Sequence, residues 1–191
     1  MTITLDLRPF VEWTDDEFFE FCQRHAWLKI ERSSDGRLEI MTPTGGETSE
    51  RNALLTCRLV LWATKDGTGV AFDSSGGFVL PNGAERGPDA SWIRKDRWLS
   101  LTPGQRKKFP PLCPDFVVEL LSPSDSIAAV REKMREYLEN GAQLGWLLDP
   151  DRKTAEVYRP ESEPECLVEP QTLSGSPLMP GFVLDLDGIL F

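Results

Sequence analysis

The sequence has few of the residues that build zinc sites and disulfide frameworks. It contains one histidine, His25, and four cysteines, Cys22, Cys57, Cys113 and Cys166, with no C-x-x-C pair among them. We therefore expect neither kind of site and expect the thiols to be free and buried. No apolar run reaches the roughly 18 residues of a membrane span, and residues 1–9 lack the pattern of a secretory signal. These absences predict a cytoplasmic protein.

The chain also has fewer basic than acidic residues. The chain has 21 Lys and Arg against 31 Asp and Glu, a formal net charge of -10. This is the wrong sign for a protein that binds nucleic acid by neutralising many phosphates. A site that binds a divalent cation must itself concentrate carboxylates, however, so the net charge leaves metal-dependent chemistry open. A local basic patch or a second copy of the chain could still attract a polyanion.

Length and composition indicate a globular protein. With 191 residues, 40% of them hydrophobic, the chain can bury a sizeable core, and we expect a single domain over residues 1–191. Thr14-Asp-Asp-Glu17 is a capping box that predicts a helix over 14–24. Short alternating runs at 28–31 and 37–41 predict a hairpin, and an amphipathic segment after Gly46 predicts a long helix that stops at Gly67.

The rest of the chain alternates short apolar runs with breaks rich in glycine and proline. This pattern predicts strands at 70–73, 77–80, 89–93, 115–121, 144–148, 154–158 and 182–186. Residues 95–114 are predicted to form a polar insert, with Thr102-Pro103 at a helix start. A helix is predicted between Ser122-Pro-Ser-Asp125 and Gly141, and a loop at 159–170. The order of elements indicates an α/β (α+β) fold with an N-terminal helix and hairpin and a mixed or antiparallel sheet.

Two carboxylates lie in the apolar run Asp115-Phe-Val-Val-Glu-Leu-Leu121. Glu119 stands between Val118 and Leu120, where a charge is costly unless it is paired or bound to metal. Because strand side chains alternate, Asp115 and Glu119 share a face and could bind a cation or flank a substrate. They could equally be exposed at a strand end or bonded to backbone amides.

Asp89, Lys133 and Glu47 are further candidates, each with an ordinary structural explanation. Asp89 heads an apolar strand after Gly87-Pro88, where turn chemistry is the commoner role. Lys133 lies on a helix, where lysines are usually solvated. Glu47 and Glu50 open the long helix, where acids complement the helix dipole, so a metal-binding role for either is a secondary hypothesis.

Several ordered blocks resemble the Uma-two family of predicted restriction endonucleases. They are Gly87-Pro-Asp-Ala-Ser-Trp92, Pro114-Asp-Phe-Val-Val-Glu-Leu-Leu-Ser-Pro-Ser-Asp125, Lys133-Met-Arg-Glu-Tyr-Leu-Glu-Asn-Gly-Ala142 and Trp146-Leu-Leu-Asp-Pro150. Pro43-Thr-Gly-Gly-Glu47 and the Asp-Gly-Thr-Gly segment at 66–69 extend the resemblance to nearly the whole chain.

The resemblance implies a PD-(D/E)XK nuclease fold, in which a central mixed sheet is flanked by helices and acids bind magnesium or manganese. Asp89 matches the family's first acid and Glu119 its second, and Glu47 matches a position that contributes a further acid. The common motif has a lysine two residues after the second acid, but Leu121 stands there, and the family pattern supplies Lys133 from the following helix. The resemblance therefore implies a DNA endonuclease with catalytic Asp89, Glu119 and Lys133. We also expect a homodimer, because cutting both strands is simplest with two symmetric sites.

Two other functions stay open. Leu121 and the acidic charge suit a catalytically inactive binding or interaction module that keeps the nuclease fold. A glycoside hydrolase with Asp115 and Glu119 as its acid pair is disfavoured, because residues four apart on a strand are on the order of 13 Å apart, wider than such mechanisms use. Asp115 also follows a proline and could replace Asp89 as the first acid.

Overall fold

The structure is a computed structural model and describes residues 2–8 and 10–191. Met1 and Pro9 of the predicted domain lie outside the described residues. The helices are α1 (Asp15–Arg24), α2 (Gly46–Asp66), α3 (Lys95–Ser100), α4 (Pro103–Arg106) and α5 (Ile127–Glu139). The strands are β1 (Thr2–Leu5), β2 (Lys29–Arg32), β3 (Leu38–Met41), β4 (Gly69–Phe72), β5 (Phe78–Val79), β6 (Glu85–Arg86), β7 (Ala90–Arg94), β8 (Phe116–Leu120), β9 (Leu144–Asp149), β10 (Thr154–Tyr158), β11 (Glu165–Val168), β12 (Thr172–Ser174) and β13 (Val183–Asp185).

A six-stranded sheet with the order β11-β10-β9-β8-β7-β4 forms the centre of the fold. Strands β8 and β9 run parallel, and the other neighbours in this sheet are antiparallel. The predicted mixed sheet is therefore confirmed. A five-stranded sheet with the order β1-β3-β2-β6-β5 carries the predicted hairpin as β2 and β3, and β12 pairs with β13.

Helices cover both faces of the central sheet. Leu55 and Leu59 of α2 pack with Phe116 and Val118 in one apolar cluster. Met134 of α5 packs on the other face in a second cluster, together with residues 117 and 147. The packing is close at Gly145, where an added Cβ would lie 2.5 Å from Met134 Cε and the methionine side chain would have to shift. The two clusters fix which side of each strand faces which helix.

The ends of the helices follow their sequence signals. Thr14 caps α1 through the predicted capping box, and Gly67 ends α2 with a left-handed φ of 73°. Helix α4 begins at Pro103 after the Thr102 cap, as predicted. Helix α5 is capped by Ser126, one residue after the predicted opening segment.

Several features differ from the expectations. The predicted loop at 159–170 contains β11, which pairs antiparallel with β10, and β1, β6, α3 and β12 were not predicted. All four cysteines are free, but Cys57 and Cys166 are exposed, so the expectation of buried thiols is wrong for these two. In the described part of the chain, no helix combines the length and the apolar character needed to cross a membrane.

Candidate active site

Two acidic side chains of the central sheet lie on the face that α5 covers. Phe116, Val118 and Leu120 belong to the cluster on the α2 side, so the alternation of β8 directs Glu119 toward α5. Asp89 precedes β7, and its amide donates to Val118 O at 3.0 Å, which continues the pairing of β7 with β8. The two neighbouring strands therefore bring Asp89 and Glu119 to one end of the sheet.

Glu119 is held from the side of α5. Its Oε1 accepts a hydrogen bond from the Tyr137 hydroxyl at 3.0 Å and lies 2.9 Å from Lys133 Nζ. Burial raises the pKa of Glu119, and the charges of Asp89 and Glu31 raise it further against the opposing effect of Lys133. The same burial raises the pKa of Tyr137, whose hydroxyl remains a donor. The Glu119 carboxyl group is thus held by one hydrogen bond and one ion pair from the same helix.

Lys133 lies between two carboxylates. Its Nζ is 2.9 Å from Glu119 Oε1 and 2.9 Å from Glu31 Oε1, with 13% of the side chain exposed. Burial lowers the pKa of Lys133, but Glu119 and Glu31 outweigh burial and raise the pKa above that of a free lysine. The side chain is therefore a fixed ammonium cation.

Asp89 lies where the cluster meets solvent. Its Oδ2 accepts a hydrogen bond from the Leu120 amide at 2.9 Å, and Lys29 Nζ lies 3.7 Å from Oδ1, too far for a hydrogen bond. The side chains of Asp89 and Lys29 are 16% and 32% exposed, against 8% for Glu119. A ligand would therefore approach from the side of Asp89 and Lys29.

Glu31 of β2 is part of this cluster, and the sequence reading missed it. The sequence predicts only that Glu31 belongs to a hairpin strand, in which the side chains of Lys29 and Glu31 point to one face and that of Ile30 to the other. This alternation is what a strand with one solvated face shows, so the sequence has no signal that separates Glu31 from an exposed acid. Glu31 differs from an exposed acid because it accepts a hydrogen bond from Lys133, which lies 102 positions later in the chain.

The cluster carries more negative than positive groups. Among the described residues it joins five carboxylates, Glu31, Glu39, Asp89, Glu119 and Glu136, to three cationic groups, Lys29, Arg86 and Lys133. If all are ionised, two negative charges are unbalanced, which is the charge of one divalent cation. Burial makes such an imbalance costly without a counter-ion.

The donor set fits a hard divalent ion. No group of three or more His, Cys, Asp or Glu side chains within residues 2–8 and 10–191 is arranged to hold a metal. Mg²⁺ commonly uses one or two carboxylates and takes its other ligands from water and substrate phosphates. Asp89 and Glu119 match that requirement, whereas zinc sites need more protein ligands.

Two other acids named in the sequence analysis lie apart from this cluster. Asp115 is buried, accepts a hydrogen bond from the Arg94 amide at 2.8 Å and pairs with Arg97 at 2.9 Å, which is a structural role. Glu47 lies in the first turn of α2 with its side chain 88% exposed, 3.9 Å from Arg51. In the described structure, Glu47 shares no hydrogen bond or ion pair with Asp89, Glu119 or Lys133. Its role as a metal ligand stays a prediction.

Comparisons with known proteins agree with this architecture. A crystal structure of a putative nuclease of the family DUF820 from Anabaena variabilis superposes with a TM-score of 0.72 at 24% sequence identity, covering 94% of this chain and 98% of that chain. This similarity shows a restriction-endonuclease-like fold. None of the curated proteins compared with the sequence matches it. The family Uma2, described as "Putative restriction endonuclease", matches residues 15–187, and the chain belongs to this family.

Proposed function

We propose that the protein is a metal-dependent endonuclease that hydrolyses phosphodiester bonds of DNA. The observation that supports this most directly is that Asp89, just before β7, lies in one cluster with Glu119 of β8 and Lys133 of α5. Lys133 would take the place of the lysine missing from position 121, and its contact with Glu119 at 2.9 Å supports this assignment. Family membership supports the same reaction class.

Asp89 and Glu119 would hold Mg²⁺ or Mn²⁺. When bound, such an ion lowers the pKa of a coordinated water and neutralises charge on a phosphate. The Leu120 amide orients Asp89, and the Tyr137 hydroxyl orients Glu119, so neither carboxylate needs to reorganise. Glu47 would add a further ligand only if the first turn of α2 contributes to the site.

Lys133 would stabilise charge that develops on the phosphate. An ammonium group with a raised pKa is a poor base, so the contacts favour electrostatic stabilisation over deprotonation of water. Lys29, on the solvent side of Asp89, is placed to meet the substrate backbone. These two cations would counter the repulsion expected from a chain of net charge -10.

DNA is the proposed substrate, and a homodimer is the proposed assembly. Cleavage of both strands is simplest with two symmetric sites. Because the chain is acidic, binding would depend on few phosphate contacts, and weak non-specific binding is expected at physiological salt. The catalytically inactive binding module remains the second candidate, supported by the acidic charge and by Leu121.

Cleavage of supercoiled plasmid at low salt tests the proposal. We expect nicking with Mg²⁺ or Mn²⁺, none with chelator, and a loss of at least about 100-fold in Asp89→Asn, Glu119→Gln and Lys133→Met. Arg135→Met is the matched control for Lys133→Met, since Arg135 is an exposed cation on the same helix. It should cleave at the wild-type rate.

Thermal unfolding with and without Mn²⁺ provides a second measurement. An ion that binds only the folded state raises the unfolding temperature. We expect this rise in the wild type and in Lys133→Met, but not in Asp89→Asn. A rise without nicking under any condition would contradict the nuclease and favour the inactive module.

A further inference from the structure

Glu31 contacts the active-site lysine without facing the substrate side. Its Oε1 accepts a hydrogen bond from Lys133 Nζ at 2.9 Å, and its side chain is only 4% exposed. We propose that Glu31 is a positioning residue that holds the Lys133 ammonium group beside Glu119. This inference rests on the proposed nuclease function for its catalytic consequence, but the positioning itself can be measured separately.

The other contacts of Glu31 argue against a role as a metal ligand. Oε1 also accepts a hydrogen bond from the Gly87 amide at 3.0 Å, and Oε2 accepts one from Arg86 at 3.3 Å. Burial alone would raise the pKa of Glu31, but Lys133, Lys29 and Arg86 lower it to about 2. Both oxygens of this carboxylate already accept hydrogen bonds from protein donors.

The surrounding backbone is built closely around this carboxylate. Gly87 brings its amide to Glu31, and a Cβ at this position would lie 3.0 Å from Gly76 O and 3.4 Å from Lys29 Cε. Arg86 is held in turn by Glu39 at 2.8 Å and Glu136 at 2.6 Å. These contacts hold Glu31 in place independently of Lys133, as a positioning group requires.

Lys133 needs a second anchor because Glu119 has another task. A lysine side chain has many rotamers and loses much conformational freedom when it is fixed, so a single partner holds it poorly. Glu119 is also the proposed metal ligand, and a cation bound to its carboxylate would weaken the attraction between Glu119 and the Lys133 ammonium group. Glu31 is the second carboxylate at this ammonium group and keeps its contact whatever Glu119 binds.

The NMR signal of the Lys133 ammonium group tests the positioning directly. Wild-type protein labelled with ¹⁵N-lysine should show a protected ammonium resonance, assigned by its absence in Lys133→Met. We expect Glu31→Gln to lose or broaden this resonance. Glu39→Gln is the matched control, because Glu39 lies opposite Glu31 in the strand register and also binds Arg86, but does not contact Lys133. It should keep the resonance.

Plasmid cleavage tests the consequence for catalysis. Glu31→Gln should lower the nicking rate about 10- to 100-fold, the usual effect of removing a group that orients an active-site residue. In the Lys133→Met background the same change should cost nothing further, because both variants remove one function. Mn²⁺ binding, measured with the metal alone by electron paramagnetic resonance, should be retained in Glu31→Gln, weakened only by the loss of one negative charge from the cluster.

Several results would overturn the proposal. An unchanged Lys133 resonance in Glu31→Gln would show that the lysine needs no anchor, and lost Mn²⁺ binding would make Glu31 a ligand. If Glu31→Gln does not fold, Glu31→Asp keeps the charge, shortens the side chain and must show the same loss of the resonance. If the wild type shows the resonance but cleaves nothing, and Glu31→Gln loses the resonance, the positioning is supported and only the nuclease is contradicted.

Discussion

Strands β2 and β6 carry a buried ion pair on each of their two faces. Arg32 lies opposite Glu85 on one face, and the next pair in this antiparallel register, Glu31 with Arg86, lies on the other. All four residues are at most 8% exposed. We call these the Arg32 face and the Glu31 face. Charged side chains are buried on both faces, so burial alone does not show which face belongs to the candidate site.

The partners of the two faces differ. The Arg32 face is covered by α1, where Arg32 donates to Trp13 O at 2.8 Å and to Asp15 at 2.6 Å and lies over the Phe18 ring. Its Nε is 3.0 Å from Glu85 Oε2, but neither Glu85 oxygen accepts a well-aligned hydrogen bond within the described residues. Burial raises the pKa of Glu85 to about 8.

The Glu31 face contacts α5 and opens at one side. Each Glu31 oxygen accepts hydrogen bonds, and the cluster continues through Lys133 to Glu119 and the partly exposed Asp89. Raised carboxyl pKa values occur on both faces, at Glu85 and at Glu119. A perturbed pKa is therefore insufficient to identify a site here, whereas unbalanced charge next to a solvent opening is informative. We infer that the Arg32 face serves stability.

The largest expected effect comes from Arg32→Met. Removal of one member of a buried pair costs about 3 kcal/mol, the low end of the usual range because Glu85 can take up a proton. Urea denaturation should show this loss of unfolding free energy, while plasmid nicking per folded molecule stays at the wild-type level. Arg37→Met removes a half-exposed arginine from the same hairpin and should be nearly neutral. Lost nicking in folded Arg32→Met would place the Arg32 face in the site.

The pH dependence of stability is the next largest effect. Because the pKa of Glu85 is raised in the folded state, its contribution is complete below the ordinary value near 4.5 and is lost as the pH rises through about 8. Glu85→Gln should remove a slope of up to about 1.4 kcal/mol per pH unit in this window. Unfolding free energies measured from pH 5 to 8 check this, and parallel curves for wild type and variant would contradict it. Glu31 has the opposite sign: because its pKa is lowered to about 2 in the folded state, its contribution is complete above the ordinary value near 4.5 and is lost as the pH falls from there through about 2.

Local signals predicted most of this architecture. The Thr14 capping box, the Gly67 stop and the apolar run around Glu119 each act through neighbouring residues, and each appears in the structure. The predicted loop at 159–170 was wrong because β11 depends on a distant element. Its residues are mostly exposed, and it is a strand because β10 offers an edge to pair with.

The candidate site was less predictable from the residues alone. The sequence indicated Glu119 as an acid inside an apolar strand. The spacing of Asp115 and Glu119 also suggested that the two act as a pair, but in the structure Asp115 binds Arg94 and Arg97 instead. Lys133 was indicated only by the family resemblance. The role of Glu31 could not be predicted, because its contact with Lys133 depends on how two sheets and a helix pack together. No local sequence pattern shows which face of a strand another element will cover.

The smallest expected effect concerns the helix that covers the Arg32 face. Thr14 lies between Trp13 and Asp15, the two partners of Arg32, and its hydroxyl accepts a hydrogen bond from the Glu17 amide. Thr14→Ala should cost about 1 kcal/mol of unfolding free energy, the usual value of an N-cap. Its effect should be less than additive with Arg32→Met, because both changes release the start of α1 from the sheet. Thr102→Ala removes the equivalent capping box of α4 and should add fully to Arg32→Met. Nicking should be unaffected in each variant, and full additivity of Thr14→Ala would show that the cap and Arg32 act independently.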